Sequence, residues 1–342
     1  MDDQHLKKNR QRLMICFLLL LTIFIGIVSI SIGSVNIGFV DVVKILLGSS
    51  SNNSTFSSIV TSIRLPRLLG ALIGGASLSV SGLLLQIFFK NPIVEPYVLG
   101  ISSGSSLFVG LVILGGYTFG LSSVSPMFLF FGAFAGAMLI MAAVCLAAKK
   151  VKSITTLLVI GIMAGFICSA GTSMLTSFAD KEQLAHYMIW TLGSFSGFSW
   201  IQVKFLYILS VPILILIFLI SKPLNAMLFG ENYAISMGLN IKRFRVVIIV
   251  LSSLLTAGIT AFAGPISFIG LAVPHIVRIT FRSSDNKVLV PAVIISGALM
   301  TALCDLGARM LLSPIELPLS AITSLVGAPI VIYLLLTKRS AL

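Results

Sequence analysis

The sequence predicts an all-α integral membrane protein, a bundle of about ten transmembrane helices with cytoplasmic N- and C-termini. Three observations point there. Of the 342 residues, 57% are apolar and only 10% are charged, against about 25% in an ordinary soluble domain. The mean hydropathy is +1.11, more apolar surface than a soluble fold of this length can hide and the opposite of a disordered composition. The charges also leave long neutral runs at 68–89, 97–146, 153–179, 246–277 and 317–337. About 20 apolar residues span the hydrocarbon core as a helix. A closed barrel is the only other spanning solution, and it needs short alternating strands rather than Leu/Ile-rich runs.

Basic residues collect at the cytoplasmic ends of spans, so the chain can be walked from inside. Lys7, Lys8, Arg10 and Arg12 precede a first span at about 13–32, too long for a cleaved leader and lacking its small-x-small exit. Residues 33–63 stay outside, and a second span at about 66–89 returns to Lys90. The third, about 97–115, goes out and turns at Gly115-Gly116; the fourth, about 127–148, comes back to Lys149, Lys150 and Lys152. A fifth at about 155–177, an amphipathic outer segment at 180–197 and a sixth at about 200–220 lead to Lys222. Residues 222–245 form a cytoplasmic polar segment.

The stretch 246–277 holds 32 residues without a charge, yet both its flanks are basic. Gly264-Pro265 lies in its middle, where a helix should break. The expectation is a seventh span at about 246–263 and a short eighth at about 266–281, a broken pair of the kind that lines transport pathways. A ninth span at about 289–309, an outer turn at 314–318 and a tenth span at about 318–337 complete the walk at Lys338 and Arg339. Seventeen of the 23 Lys and Arg fall inside, so the net charge of +13 is a topology signal. It forms no single basic stripe, and no nucleic-acid partner is expected.

The chemistry-bearing residues are sparse. Cys16, Cys145, Cys168 and Cys304 sit apart in apolar runs and read as buried small hydrophobes. No GxxxxGK[ST] cradles a nucleotide and no HExxH holds zinc. His5, His186 and His275 lie far apart. A secondary transporter usually carries an ionisable group in mid-membrane, and the first eight spans show none. Asp305 and Arg309 form an i,i+4 pair near the outer end of the ninth span. Gly70/Gly74, Gly132/Gly136 and Gly161/Gly165 permit close helix approach. The chain reads as a passive pathway driven by a partner.

Several stretches align with one family: Arg64-Leu65-Pro66-Arg67, Gly82 and Gln86, Asn91-Pro92-Ile93-Val94-Glu95-Pro96, Leu99-Gly100-Ile101, Gly230-Glu231, and Ser236-Met237-Gly238-Leu239. The run from Gly264-Pro265-Ile266 through Ala272-Val273-Pro274-His275 to Arg278 follows, then Glu316-Leu317-Pro318 and Gly327-Ala328-Pro329. In this order, over about 35–337, the chain resembles the FecCD family. These are permease subunits of bacterial ABC importers for ferric siderophores, haem and vitamin B12.

The resemblance implies a type II ABC importer permease fold, with 1–342 as a single transmembrane permease domain and 222–245 as its cytoplasmic coupling segment. It implies a second permease, identical or homologous, two ATPase subunits that bind the ATP and Mg, and an extracytoplasmic substrate-binding protein. The chain itself carries no cofactor, metal or catalytic residue in this reading. The setting is the bacterial cytoplasmic membrane and the expected cargo a ferric siderophore, with haem or vitamin B12 as the alternative. A proton-coupled secondary transporter is the alternative of another class.

Specific residues take roles by the same resemblance. Arg64, Arg67 and Arg309 would dock acidic residues of the binding protein, with Asp305 orienting Arg309; snorkelling to head groups is the other reading. Glu231, Ala234, Ile235, Ser236, Met237, Gly238 and Leu239 would form the coupling stub that meets the ATPase; a helix lying on the membrane surface is the other. Asn91 and Ile93, with Ser153, Thr155 and Thr156, match the cytoplasmic gate, although a turn and an ordinary N-cap would use the same residue types. Gly264 and Pro265 would break a helix on the pathway.

Overall fold

A computed structural model of the chain describes residues 2–33, 35–48, 54–118, 125–151 and 153–337. Lys152, Lys338 and Arg339, expected to mark cytoplasmic ends, lie outside these residues. Every regular element among the described residues is a helix. Helices run over Asp2–Ser31 (α1), Phe39–Leu46 (α2), Ser54–Phe89 (α3), Ile101–Thr118 (α4), Pro126–Lys150 (α5) and Ile154–Ser177 (α6). Then come Lys181–Thr191 (α7), Trp200–Leu219 (α8), Ser221–Leu228 (α9) and Glu231–Ser236 (α10). Ile241–Ala263 (α11), Ile269–Phe281 (α12), Asn286–Met310 (α13) and Leu319–Thr337 (α14) finish the chain. Among the described residues, seven helices are long and apolar enough to cross a membrane, and three shorter apolar helices, within α4, α12 and α14, join them. This is the all-helical membrane bundle that the ten-span walk predicts.

α3 is the axis of the bundle. From Pro66 to Phe89 almost every residue is buried, because α8, α11, α12 and α13 all pack around it. Glycines let them come close. A Cβ at Gly82 would sit 1.9 Å from the Gly270 carbonyl oxygen of α12, and one at Gly75 would sit 2.1 Å from the Gly297 oxygen of α13. Gly136 of α5 likewise abuts the backbone of Gly104 in α4. In lipid, packing of this kind replaces the hydrophobic drive that brings helices together in water.

The helix boundaries differ from the walk at three places, each for a local reason. α3 starts at Ser54 rather than near 66, with a π-helical turn at Ile59–Arg64. Pro66 cannot donate to a preceding carbonyl, and widening the turn before it relieves the crowding. The third span begins at Ile101, because Pro96–Leu99 is a 3-10 turn closed by Gly100 at φ 74°, a left-handed conformation that suits glycine. It also runs past Gly115-Gly116 to Thr118. The third difference lies in the expected outer segment. Phe195 and Phe198 fold back into the bundle, and a Cβ at Gly74 or Gly70 would meet their rings at 2.6 Å.

The break at Gly264-Pro265 is present. α11 ends at Ala263, Gly264 takes φ 71°, and α12 starts only at Ile269. Both flanks reach the same end of the bundle. The Arg245 guanidinium donates to the Val151 carbonyl just past α5 at 3.3 Å, and Arg278 donates to Gln86 Oε1 near the end of α3 at 2.8 Å.

Candidate functional site

At the outer end the three expected docking arginines come together, but each is already engaged. Arg64 and Arg67 are both 7% exposed. Arg64 donates to the carbonyls of Ile30, Ser31 and Val35, satisfying oxygens that the end of α1 leaves without helical partners. Arg309 donates to Ser29 Oγ at 2.6 Å, so two arginines clasp α1. Asp305, 2% exposed, lies between Arg67 and Arg309: Arg67 Nε donates at 3.0 Å and Arg309 Nε lies 3.3 Å away. Arg67 also donates to Glu316 Oε1 at 2.7 Å. Glu316 is the exposed member, with 44% of its side chain in contact with solvent. The sequence placed Asp305 beside Arg309 correctly, yet gave Glu316 no role; its only signal there was its place in a Glu-Leu-Pro motif.

At the cytoplasmic end α10 is a short stub bounded by two left-handed glycines, Gly230 at φ 116° and Gly238 at φ 84°. Leu239 N–H donates to Ala234 O and Gly238 N–H to Ile235 O, which closes the stub as a Gly-terminated helix does. Ala234 is fully buried, whereas Tyr233, Ile235 and Met237 are 46%, 57% and 66% exposed. The apolar face pairs these three with Phe229, whose ring centroid lies 5.3 Å from that of Tyr233, and Ala234 instead anchors the stub to the bundle. Ser236 turns its hydroxyl back to the Tyr233 carbonyl at 2.8 Å. Glu231 Oε1 accepts from Arg245 at 2.8 Å, tying the stub to α11.

The gate residues split between the turn after α3, with Asn91 and Ile93, and the start of α6, with Ser153, Thr155 and Thr156. Asn91 Oδ1 accepts from the Ile93 N–H at 3.0 Å, a turn that leaves Ile93 54% exposed. Ser153 caps α6 through Thr156 N–H at 3.3 Å, and Thr155 and Thr156 stay exposed. The following residues meet: a Cβ on Gly161 of α6 would touch Leu99.

The loop after Asn91 also reaches the helix break. Glu95 Oε2 accepts from the Phe268 N–H at 3.2 Å, and Tyr97 Oη accepts from the Ile266 N–H. Phe268 sits at φ 67° at the head of α12, and the carboxylate holds it there. Burial pushes the Glu95 carboxyl above its usual range, partly opposed by the Phe268 N–H, and pushes the Tyr97 phenol up as well. Gly264 is fixed from the other side, since a Cβ there would lie 2.3 Å from the Trp190 carbonyl oxygen. The link from loop 91–100 to the break is not written in either segment alone, and the sequence analysis gave Glu95 and Tyr97 no part in it.

A bundle with a broken helix pair, a clasped charged outer end and an exposed apolar stub at the basic end defines a multi-pass transport protein. The chain belongs to the FecCD transport family, which matches residues 20–337. It is 34% identical to the hemin transport system permease protein HmuU of Yersinia pestis, over 96% of each chain. It is 36% identical to the vitamin B12 import system permease protein BtuC of Salmonella typhimurium, over 81% of this chain and 83% of the relative. A solved structure described as a metal-chelate type ABC transporter in an inward-facing conformation superposes with a TM-score of 0.85 at 29% identity, over 95% of this chain and 99% of the other. The fold is that of an ABC importer permease, and its role is transport rather than catalysis.

Proposed function

We propose that the chain is the membrane-spanning subunit of an ATP-driven importer in a bacterial cytoplasmic membrane, and that it passes a ferric siderophore. It works as one of a permease pair, identical or homologous. Two ATPase subunits, which hold the ATP and Mg, sit on the cytoplasmic side, and a substrate-binding protein delivers cargo outside. The observation that carries this reading is the stub α10: exposed Tyr233, Ile235 and Met237 beside Phe229, fixed to the bundle through Glu231 and Arg245. A helix this short does not persist alone in water, and an apolar tip held at the basic end of the bundle suits a groove on a cytoplasmic partner.

The outer cluster of Arg64, Arg67 and Arg309 receives acidic groups of the binding protein, with Glu316 the member that an incoming carboxylate displaces. Asn91, Ile93, Ser153, Thr155 and Thr156 form the cytoplasmic constriction. Loop 91–100 moves with the Gly264-Pro265 break because Glu95 and Tyr97 hold both. Cargo passes as a complex: among the described residues, no group of three His, Cys, Asp or Glu could hold a bare metal ion. A haem or vitamin B12 cargo, the kind named for two of the relatives, is the alternative.

The test is made in cells whose only route for a ferric siderophore is this importer. Uptake of radiolabelled iron should vanish without the chain and return with the wild type, but not with Met237→Asp. Full uptake without the chain would overturn the reading.

A further inference from the structure

The cleft beside the helix break has a chemistry of its own. It lies between α4, α6 and α7, measures about 370 Å3, and nine of its ten lining residues carry a hydroxyl. The tenth is Pro265 of the break, with Tyr97 also in the lining. Three of the hydroxyls give their protons to their own helices: Thr172 to Cys168 O at 2.9 Å, Ser173 to Ser169 O at 3.0 Å and Thr191 to Met188 O at 2.7 Å. A hydroxyl used in this way still offers its lone pairs; Thr172 is also hydrogen-bonded to Tyr187, and Ser173 and Thr191 are left able to accept. Ser173 is exposed and Thr172 half-buried, within reach of a ligand. Among the described residues, no Lys, Arg or His lines the cleft, and none occurs in α6.

A cleft of neutral hydroxyls without a cation gives carboxylate and phenolate oxygens no counter-charge to offset their desolvation, while its lone pairs receive N–H and O–H groups. We infer that this cleft is a substrate-contact site on the import route, and that it takes an uncharged chelate whose rim carries amide N–H or hydroxyl groups. The inference rests on the importer reading and narrows its cargo. A neutral ferric trihydroxamate or an amide-rimmed corrin fits; a tri-anionic ferric catecholate or a haem with two propionates does not. Neutral hydrogen bonds are individually weak, which suits a site that must release what it contacts. Tyr97 and Pro265 belong to the two segments joined at the break, so an occupant touches the linkage that moves.

The complete importer, with its ATPase and binding protein, is reconstituted in vesicles and offered four probes: an uncharged ferric trihydroxamate, cyanocobalamin, a tri-anionic ferric triscatecholate and haemin. Uptake by a Thr172→Val/Ser173→Ala variant is divided by wild-type uptake of the same probe, so the preference of the binding protein cancels. The wild type should carry an uncharged probe best, and the double variant should lower that uptake about ten-fold. A Ser173→Lys variant should lower it too and raise the ratio of anionic to uncharged uptake; unchanged ATPase co-purification shows that each variant is assembled. Wild-type preference for the catecholate or haemin, or a double variant within about two-fold of wild type on the uncharged probe, overturns the inference and leaves the importer standing. Uptake of none of the four by the wild type overturns the chelate importer reading itself.

Discussion

The guanidinium of Arg245 donates to Glu231 Oε1 at 2.8 Å, joining the first residue of the stub α10 to the first turns of α11. α11 leads directly to the break at Gly264, so a push on the stub has a stiff path to the pathway. Arg245→Met should free the stub while leaving its apolar tip in place. The pair is largely buried on the arginine side, and its loss is expected to cost about 1–3 kcal/mol of docking order. Uptake should fall about ten-fold or more, since 1.4 kcal/mol is a factor of ten, while ATPase subunits still co-purify. Normal uptake in that variant would remove the stub from the coupling route.

Met237→Asp tests the tip itself. Met237 is 66% exposed, so the substitution should not disturb the fold. A charge placed in an apolar contact should reduce co-purification of the ATPase and separate hydrolysis from uptake. Full ATPase yield with normal uptake would make residues 231–239 a membrane-surface helix.

The outer cluster makes different predictions for Arg67 and for its partner Glu316. Removing Arg67 leaves Asp305 buried without one of its two cations, and breaking a buried pair costs about 3–5 kcal/mol. Arg67→Met should therefore lower the thermal midpoint clearly. Glu316→Gln should change stability little, because an exposed partner contributes about 0–1 kcal/mol, yet it should alter binding-protein affinity. Equal thermal shifts in the two variants would contradict the arrangement.

Gly82 is expected to be the least replaceable glycine of α3. An alanine Cβ would fall 1.9 Å from the backbone oxygen of Gly270, and backbone cannot step aside as a flexible side chain can. Gly82→Ala should force α3 and α12 apart and cost about 1–3 kcal/mol or more, read as lost yield in detergent. At Gly115 no atom of the described residues lies within 4 Å, so Gly115→Ala should be neutral.

Glu95 ties stability to pH. Its carboxyl is raised by burial, with the Phe268 N–H opposing. A carboxyl raised above its unfolded value lends stability that is complete below the ordinary carboxylate range and is lost as pH rises through the raised value. Glu95→Gln keeps an oxygen for Phe268 but cannot ionise. Between pH about 4 and 7, the wild-type midpoint should fall relative to that of the variant. A constant difference across the range would show that Glu95 titrates normally.

Much of this was legible in the sequence because lipid imposes a strict code. Neutral runs gave the spans, and Lys149, Arg243, Arg245 and Arg278 gave their direction. The basic flanks and Gly264-Pro265 gave the broken pair. What was not legible depends on long-range packing. Phe195 read as part of the outer segment 180–197 and Phe198 as the residue just after it, because nothing in a one-dimensional pattern shows Gly74 and Gly70 leaving space for their rings. Arg64 and Arg67 took a docking role from the family resemblance, which says nothing of the carbonyls of Ile30 and Ser31 or the carboxylate of Asp305 that hold them buried. The hydroxyl cleft assembles residues of α4, α6 and α7 that are ordinary in each helix alone.

The central claim, a passive pathway driven by a partner, is tested most directly by transport in sealed vesicles. The purified chain, its ATPase and its binding protein are reconstituted, and uptake of a ferric chelate is followed with ATP, without ATP, and with a proton gradient alone. The account predicts uptake only with ATP and ATPase together. Uptake by the chain alone on a proton gradient would contradict it.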